Sequence, residues 1–192
     1  MIVMKHKILL HACCAPCTAG VIEQLKNDFD VMLFWYNPNI SPKEEHDRRL
    51  TELLNFCDKQ KIRLLVGDYS WEEEHKNWLK IVKGLESEPE RGKRCHECYR
   101  SRLEATATVA AEINQHHPNE LSYFGAELSI SPHKDSNCIN EMGKEIGKKT
   151  GIEFFVADFK KNNGAKLASE ISSKHKLYRQ NYCGCEFSQS KK

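Results

Sequence analysis

No apolar run in the chain approaches the roughly 18 residues that a membrane-spanning helix requires, so the sequence predicts no spanning segment. Internal repeats, low-complexity tracts and evident linkers are also missing, which argues against a solenoid or a string of modules. Net charge is small, at +2. That total neither requires nor excludes a nucleic-acid partner, because local clustering matters more. No glycine-rich phosphate loop follows the first predicted strand, so use of ATP is not expected. The opening "MIVMKHKILLHACC" has an apolar stretch of only about four residues, short of the roughly 7–15 of a signal-peptide core. It reads as a buried strand, and the compartment expected is the reducing cytoplasm.

Cysteine, by contrast, is plentiful. Nine of the 192 residues are cysteine, at positions 13, 14, 17, 57, 95, 98, 138, 183 and 185. An odd count argues against a fully paired disulfide framework, and in a reducing compartment grouped cysteines point to metal binding or redox catalysis. Hydrophobic residues at 40% and charged residues at 29% suit a soluble globular chain long enough to bury one real core.

Strand and helix patterns alternate. "KILLHA" is a short apolar run, and "TAGVIEQLKNDF" places Val21, Ile22, Leu25 and Phe29 on one helical face. "DVMLFWYNPNI" is a second buried strand. "SPKEEHDRRLTELLNFCDKQ" predicts a helix with Ser41 as cap, Pro42 at its first position and Glu44 in capping-box spacing. "KIRLLVGDYS" is a third strand; "SWEEEHKNWLKIVKGL" is a helix with Ser70 and Glu73 in the same spacing. "LSYFGAELSI" and "IEFFVADF" are further strands on either side of the helical "SNCINEMGKEIGKKT". The expected fold is a single α/β domain, a parallel sheet with helices on both faces. Ligands of such sheets bind beyond the carboxyl ends of the strands. The turn "HACCAPC", after the first strand, occupies that place, and the helix N-terminus that follows favours thiolates.

"RCHECYRSRL" puts Cys95 and Cys98 one helical turn apart, able to reach one metal centre. Cys13 and Cys14 can complete a set of four, but about 80 positions separate the two pairs, so only the tertiary fold can assemble the site. Four thiolates suit zinc and an iron–sulfur cluster equally. Cys17 is a fifth thiol, free or bound to a second metal. In "YCGC", Cys183 and Cys185 can form a strained, labile small-ring disulfide suited to redox work, or supply two more ligands. Cys57 and Cys138 read as helical core residues. In "SISPHKDS", Lys134 and Asp135 sit at a strand end, where they can meet an anion or a metal or simply cap a helix. His11 reads as a hydrogen-bonded structural histidine. Arg91, Lys93, Arg94, Arg100 and Arg102 surround the CxxC, and Lys160, Lys161, Lys174, Lys176 and Arg179 precede CGC; such density can meet phosphates or be a solvated face.

Taken together, "HACCAPC", "RCHECYRSRL", "LSISPHKD" and "LYRQNYCGCEFS" resemble the QueH family of epoxyqueuosine reductases, in order and over nearly the whole chain. "GAELSIS" is less threonine-rich than the family pattern. The resemblance implies a HUP/PP-loop-like (Rossmann-like) fold and reduction of the epoxide of epoxyqueuosine at the wobble position of tRNA, without cobalamin. It implies a [4Fe–4S] cluster on Cys13, Cys14, Cys95 and Cys98, and a redox-active pair at Cys183 and Cys185 in a tail at about 178–192. An additional iron can use Cys17 or Asp135. The partners implied are tRNA and an electron donor. His133, Lys134 and Tyr182 are candidate proton donors. The competing readings are a PP-loop-like tRNA sulfur-transferase, disfavoured by the absent phosphate loop, and a zinc-stabilised RNA-binding module.

Overall fold

The computed structural model describes residues 5–189. Five parallel strands form one sheet in the order β3-β2-β1-β4-β5, comprising β1 (His6–Ala12), β2 (Phe29–Trp35), β3 (Arg63–Val66), β4 (Tyr123–Ala126) and β5 (Glu153–Phe154). The order reverses between β2 and β4, so β1 is the switch strand, and both neighbours cover it. Ile8, Leu9 and Leu10 are fully buried. Residues of opposite faces are equally hidden, as expected of a parallel sheet clothed on both sides. At about 1.5–3 kcal/mol per buried aliphatic side chain, this strand is a stiff mount for whatever follows Ala12.

On one face lie α4 (Lys93–His116) and α5 (Ser136–Thr150), packed over Leu9, Phe34, Phe124 and Phe154. On the other lie α1 (Ala15–Leu25), α2 (Lys43–Gln60) and α6 (Gly164–Lys174), over Ile8, Leu10, Leu33 and Trp35. α1 and α6 cross closely at Gly20, where an added Cβ would lie 2.5 Å from that of Ala168. α3 (Trp71–Ile81) builds a small satellite core in which Trp78 and Val82 meet Cys98 and Cys185.

Several local expectations are corrected. Phe29 does not continue the face of α1; the helix ends at Leu25 and Phe29 opens β2. Ser41 does not cap α2, which has Pro42 at its N-cap and starts at Lys43. The Ser41 backbone is committed elsewhere: its N–H donates to Gly184 O and its carbonyl accepts from the Tyr182 hydroxyl. Ser70 does cap α3, accepting from the Glu73 N–H at 3.4 Å. "LSYFGAELSI" is strand only as far as Ala126; Glu127–Ile130 forms a 3-10 turn.

Candidate redox and metal site

The first strand ends, as its sequence predicts, in the cysteine turn. Cys14 is the extended N-cap of α1 (φ −171°, ψ 151°). Cys13 Sγ lies 4.0 Å from Cys14 Sγ. The ligand atoms of Cys13, Cys14, Cys17 and Glu127 all fall within 4.8 Å of one another, a set able to hold a metal ion. Cys13 and Cys17 both turn thiols toward Cys14, whose thiol is thereby held well below its usual range; donating to Cys14 pushes Cys13 up to about 11. A further donor comes from the far end of the chain, where Gln180 Nε2 reaches Cys14 Sγ at 3.1 Å.

Cys95 and Cys98 lie in the first turns of α4, both buried. Cys95 belongs to the same packed cluster as Cys13, and Cys98 packs against Cys185. Burial pushes Cys98 up to about 11, against the opposing charge of Arg102, whose Nη2 donates to its sulfur at 3.1 Å. Arg94 and Arg102 are therefore neither solvated nor free for phosphate. They are 2% and 3% exposed, and Arg94 Nη1 donates to the carbonyls of Leu85, Glu86 and Glu88. Lys160 is likewise engaged, with Ser129 O and Lys134 O.

The CGC segment has no helix or strand of its own, yet the body holds it closely. Arg49 donates to Cys183 O and Tyr182 O, Ser41 N–H to Gly184 O, and Lys134 Nζ to Cys183 Sγ. Gly184 sits at φ 125°, a left-handed conformation, and a Cβ there would meet Arg49 and Ile40 at 3.1 Å. Both cysteines are free thiols. They are not equivalent. Burial raises the thiol of each, but beside Cys183 the charges of Lys134 and Arg102 overcome it and hold that thiol low, whereas Cys185 stays high. Cys183 faces a cleft of about 600 Å³ that Cys13, Cys17, His133, Lys134 and Tyr182 also line. Cys185 is 5% exposed, behind it.

Seven of the nine cysteines thus gather at the carboxyl edge of the sheet. The other two keep to the helices: Cys57 is buried in α2 and Cys138 packs part-buried in α5. His11 is a structural histidine, fully buried with Nε2 on Tyr36 O and its imidazole pushed down to about 3 by burial. Asp135, offered by the sequence as an iron ligand, is the N-cap of α5, accepting from Asn137 N and Cys138 N. The carboxylate beside the cysteines is Glu127, which sequence patterning gave no reason to single out. A usable signal lay in the strand pairing: with His11 opposite Ala126, the residue after β4 must fall beside the thiol turn.

A Rossmann-like α/β chain with clustered thiols, a cleft and buried cations beside one of the thiols is, by class, a thiol-based redox or metal-dependent protein. Comparison gives the particular family. The family model for epoxyqueuosine reductase QueH matches residues 8–191, and the chain belongs to that family. It is 36% identical over 190 residues to the epoxyqueuosine reductase QueH of Streptococcus pyogenes serotype M1, covering 96% of this chain and 71% of the relative. It is 38% identical over 184 residues to the protein of that name from Acinetobacter baylyi, covering 95% and 80%. With the Thermotoga maritima protein of that name, identity is 35% over 181 residues, covering 94% and 89%. These relatives make the chain an enzyme of the oxidoreductase class. In fold it is similar to a solved structure from Methanocaldococcus jannaschii described as a predicted subunit of tRNA methyltransferase, with TM-score 0.52, 13% identity, and coverage of 87% of this chain and 75% of that one. At that identity the likeness is one of fold alone. Among the described residues no helix is long and apolar enough to cross a membrane.

Proposed function

We propose that this chain reduces the epoxide of epoxyqueuosine, at the wobble position of tRNA, to queuosine. One observation beyond family membership carries the reading: Cys183, Cys13 and Cys17 open onto a single cleft with Lys134 between elements. The net change is epoxide plus two electrons and two protons to alkene plus water. Oxidation of the Cys183 and Cys185 thiols to a disulfide releases two electrons and two protons, which balances it. An external electron donor must then reduce the disulfide.

An iron–sulfur group would draw on Cys13 and Cys14 of the tight thiol set and on Cys95 and Cys98 of α4, whose sulfurs lie outside that set. Cys14, Cys95 and Cys98 are buried and Cys13 is part-buried, and the buried Tyr99 hydroxyl, in the same packed cluster as Cys13 and Cys95, has no partner among the described residues, as a donor to an absent polyatomic group would. Such a group, when bound, supplies one-electron transfer. Cys17, beside Cys13 and Cys14, is the thiol left for an additional iron, since Asp135 is committed to capping α5.

Of the three proton-donor candidates, geometry favours Lys134. The Tyr182 hydroxyl is committed to Ser41 O at 2.6 Å, and His133 is solvated with its ring toward Glu90. Lys134 is 9% exposed, and although burial lowers its proton affinity, the Cys183 sulfur more than restores it. Oxidation of Cys183 removes that charge, so electrons and a proton leave the same corner of the cleft. Arg179 at the cleft and the exposed Arg91, Lys93, Lys161, Lys174 and Lys176 can meet phosphates around an unstacked loop base.

The test is anaerobic purification with iron and sulfide analysis, followed by multiple turnover on epoxyqueuosine-bearing tRNA. Brown protein that converts the substrate is expected. Colourless protein with stoichiometric zinc would support the RNA-binding module instead, and ATP-dependent incorporation of sulfur would support the transferase.

A further inference from the structure

We propose that Glu127 is the positioning residue of the Cys13–Cys14 turn, a buried carboxyl that fixes the backbone on which the two adjacent sulfurs are mounted. The inference rests on the reading of Cys13 and Cys14 as metal ligands, and deepens it.

Adjacent residues of extended backbone point their side chains in opposite directions. Bringing both sulfurs of a vicinal pair to one centre therefore requires the peptide between them to be held against its preference. Nothing local does this. Cys14, the N-cap of α1, makes no capping bond with its own side chain, and Pro16 in the first turn supplies no N–H. The anchor comes from across the sheet. Glu127 Oε1 accepts from the backbone N–H of both Cys13, at 2.7 Å, and Cys14, at 3.3 Å. Its Oε2 accepts from the Thr18 hydroxyl at 2.6 Å, which also ties the carboxyl to α1. Glu127 is fully buried, at 0% exposure. Burial pushes this carboxyl well above the usual carboxylate range, against the smaller opposing pull of the Thr18 hydroxyl and the Cys13 and Cys14 amides, so its hold on the turn rests on hydrogen-bond geometry and not on a full charge.

The strand-to-helix turn of a nucleotide-binding α/β protein offers amides of this kind to a phosphate. Here they are committed to a side chain of the chain itself. This accounts for a Rossmann-like switch-point turn that needs no glycine-rich loop: the backbone approaches a protein carboxylate instead of a ligand.

The alternative is that Glu127 ligates the metal directly, since its oxygen lies within 4.8 Å of all three sulfurs. Two conservative variants separate the roles. Glu127→Gln keeps the reach: its carbonyl oxygen can accept both amides and its amide can donate to Thr18, but it can neither ionise nor ligate as a carboxylate. Glu127→Asp keeps the carboxyl and loses the reach by one methylene. The full-length chain, stripped of metal under anaerobic conditions, is titrated with Co(II) and followed by thiolate-to-cobalt charge-transfer absorption. Alkylation rates of Cys13 and Cys14 by iodoacetamide are measured in parallel on the metal-free chain. The expected result is that Glu127→Asp weakens Co(II) binding about 10–100-fold, the usual cost of losing an outer partner of a ligand, and exposes Cys13 and Cys14 to faster alkylation. Glu127→Gln should stay close to the parent chain in both measurements. The proposal is overturned if Glu127→Gln loses Co(II) as Glu127→Asp does, which is the signature of a direct ligand, or if Glu127→Asp behaves as the parent. A parent chain with no cobalt–thiolate band would refute the metal reading alone, and the alkylation rates would still decide the positioning role.

Discussion

The cysteine turn at 13–17 and the CGC segment at 183–185 use the same side chain under opposite structural regimes. The turn is mounted on the strand β1, buried from Ile8 to Ala12, and on the start of α1, and its geometry is backbone geometry. The CGC segment belongs to no helix or strand, and Arg49 of α2 with the loop residues Ser41 and Lys134 hold it from three separate stretches of the chain. In the turn, thiols polarise one another around Cys14; in the tail, buried cations separate a low-range Cys183 from a high-range Cys185. A rigid, mutually coupled set suits metal ligation. An unequal pair, one member in the cleft and one behind it, suits a redox relay. Among the described residues the tail is docked onto the body, with Cys183 at the cleft.

The comparison breaks most readily at the metal centre. Cys95→Ala should lose iron and all turnover, and should lower the thermal midpoint, because bound metal contributes to folding. A variant with full iron, sulfide and activity would remove Cys95 from the ligand set. Next in size, Cys183→Ser should keep its iron but yield at most one conversion per chain with a physiological donor, while a strong chemical reductant restores part of the turnover. Loss of iron in that variant would make the tail a ligand and erase the distinction between the two regions.

Lys134→Gln sharpens the contrast inside the tail. Cys183 has a depressed pKa, so its thiolate persists to lower pH than that of an ordinary cysteine. Removing the ammonium should move the alkylation profile of Cys183 to higher pH and slow the reaction at neutral pH by about tenfold, with little difference at strongly alkaline pH, where both forms are thiolate. An unmoved profile would leave the asymmetry to Arg102 and burial. The smallest effect concerns Asp135. Asp135→Ala should cost about 1 kcal/mol of stability as a lost helix cap, read from the denaturant midpoint, with iron content unchanged; lost iron would return Asp135 to the metal.

Much of this was legible in the chain. Alternating apolar runs predicted all five strands and the parallel sheet, since a period of two or an unbroken apolar run is set by burial of the strand itself. The spacing of Cys95 and Cys98 predicted a shared face on α4. Single-residue roles were less legible, because they depend on what the fold brings near. Ser41 carries every local mark of a cap, and a tail about 140 positions away takes its backbone instead. Arg94 and Arg102 look like solvated charges, and the fold buries both, Arg102 against a thiol.

By itself, then, the sequence determined the elements, the carboxyl-edge position of the first thiols and the motif set that marks the family, because local periodicity and spacing carry them. Only the tertiary structure decided which thiols meet. It seated Glu127 on the amides of Cys13 and Cys14 through the β1–β4 pairing, and set Lys134 against Cys183. The β1–β4 pairing and the docking of the tail are contacts between residues about 50 to more than 100 positions apart, and no local pattern encodes them.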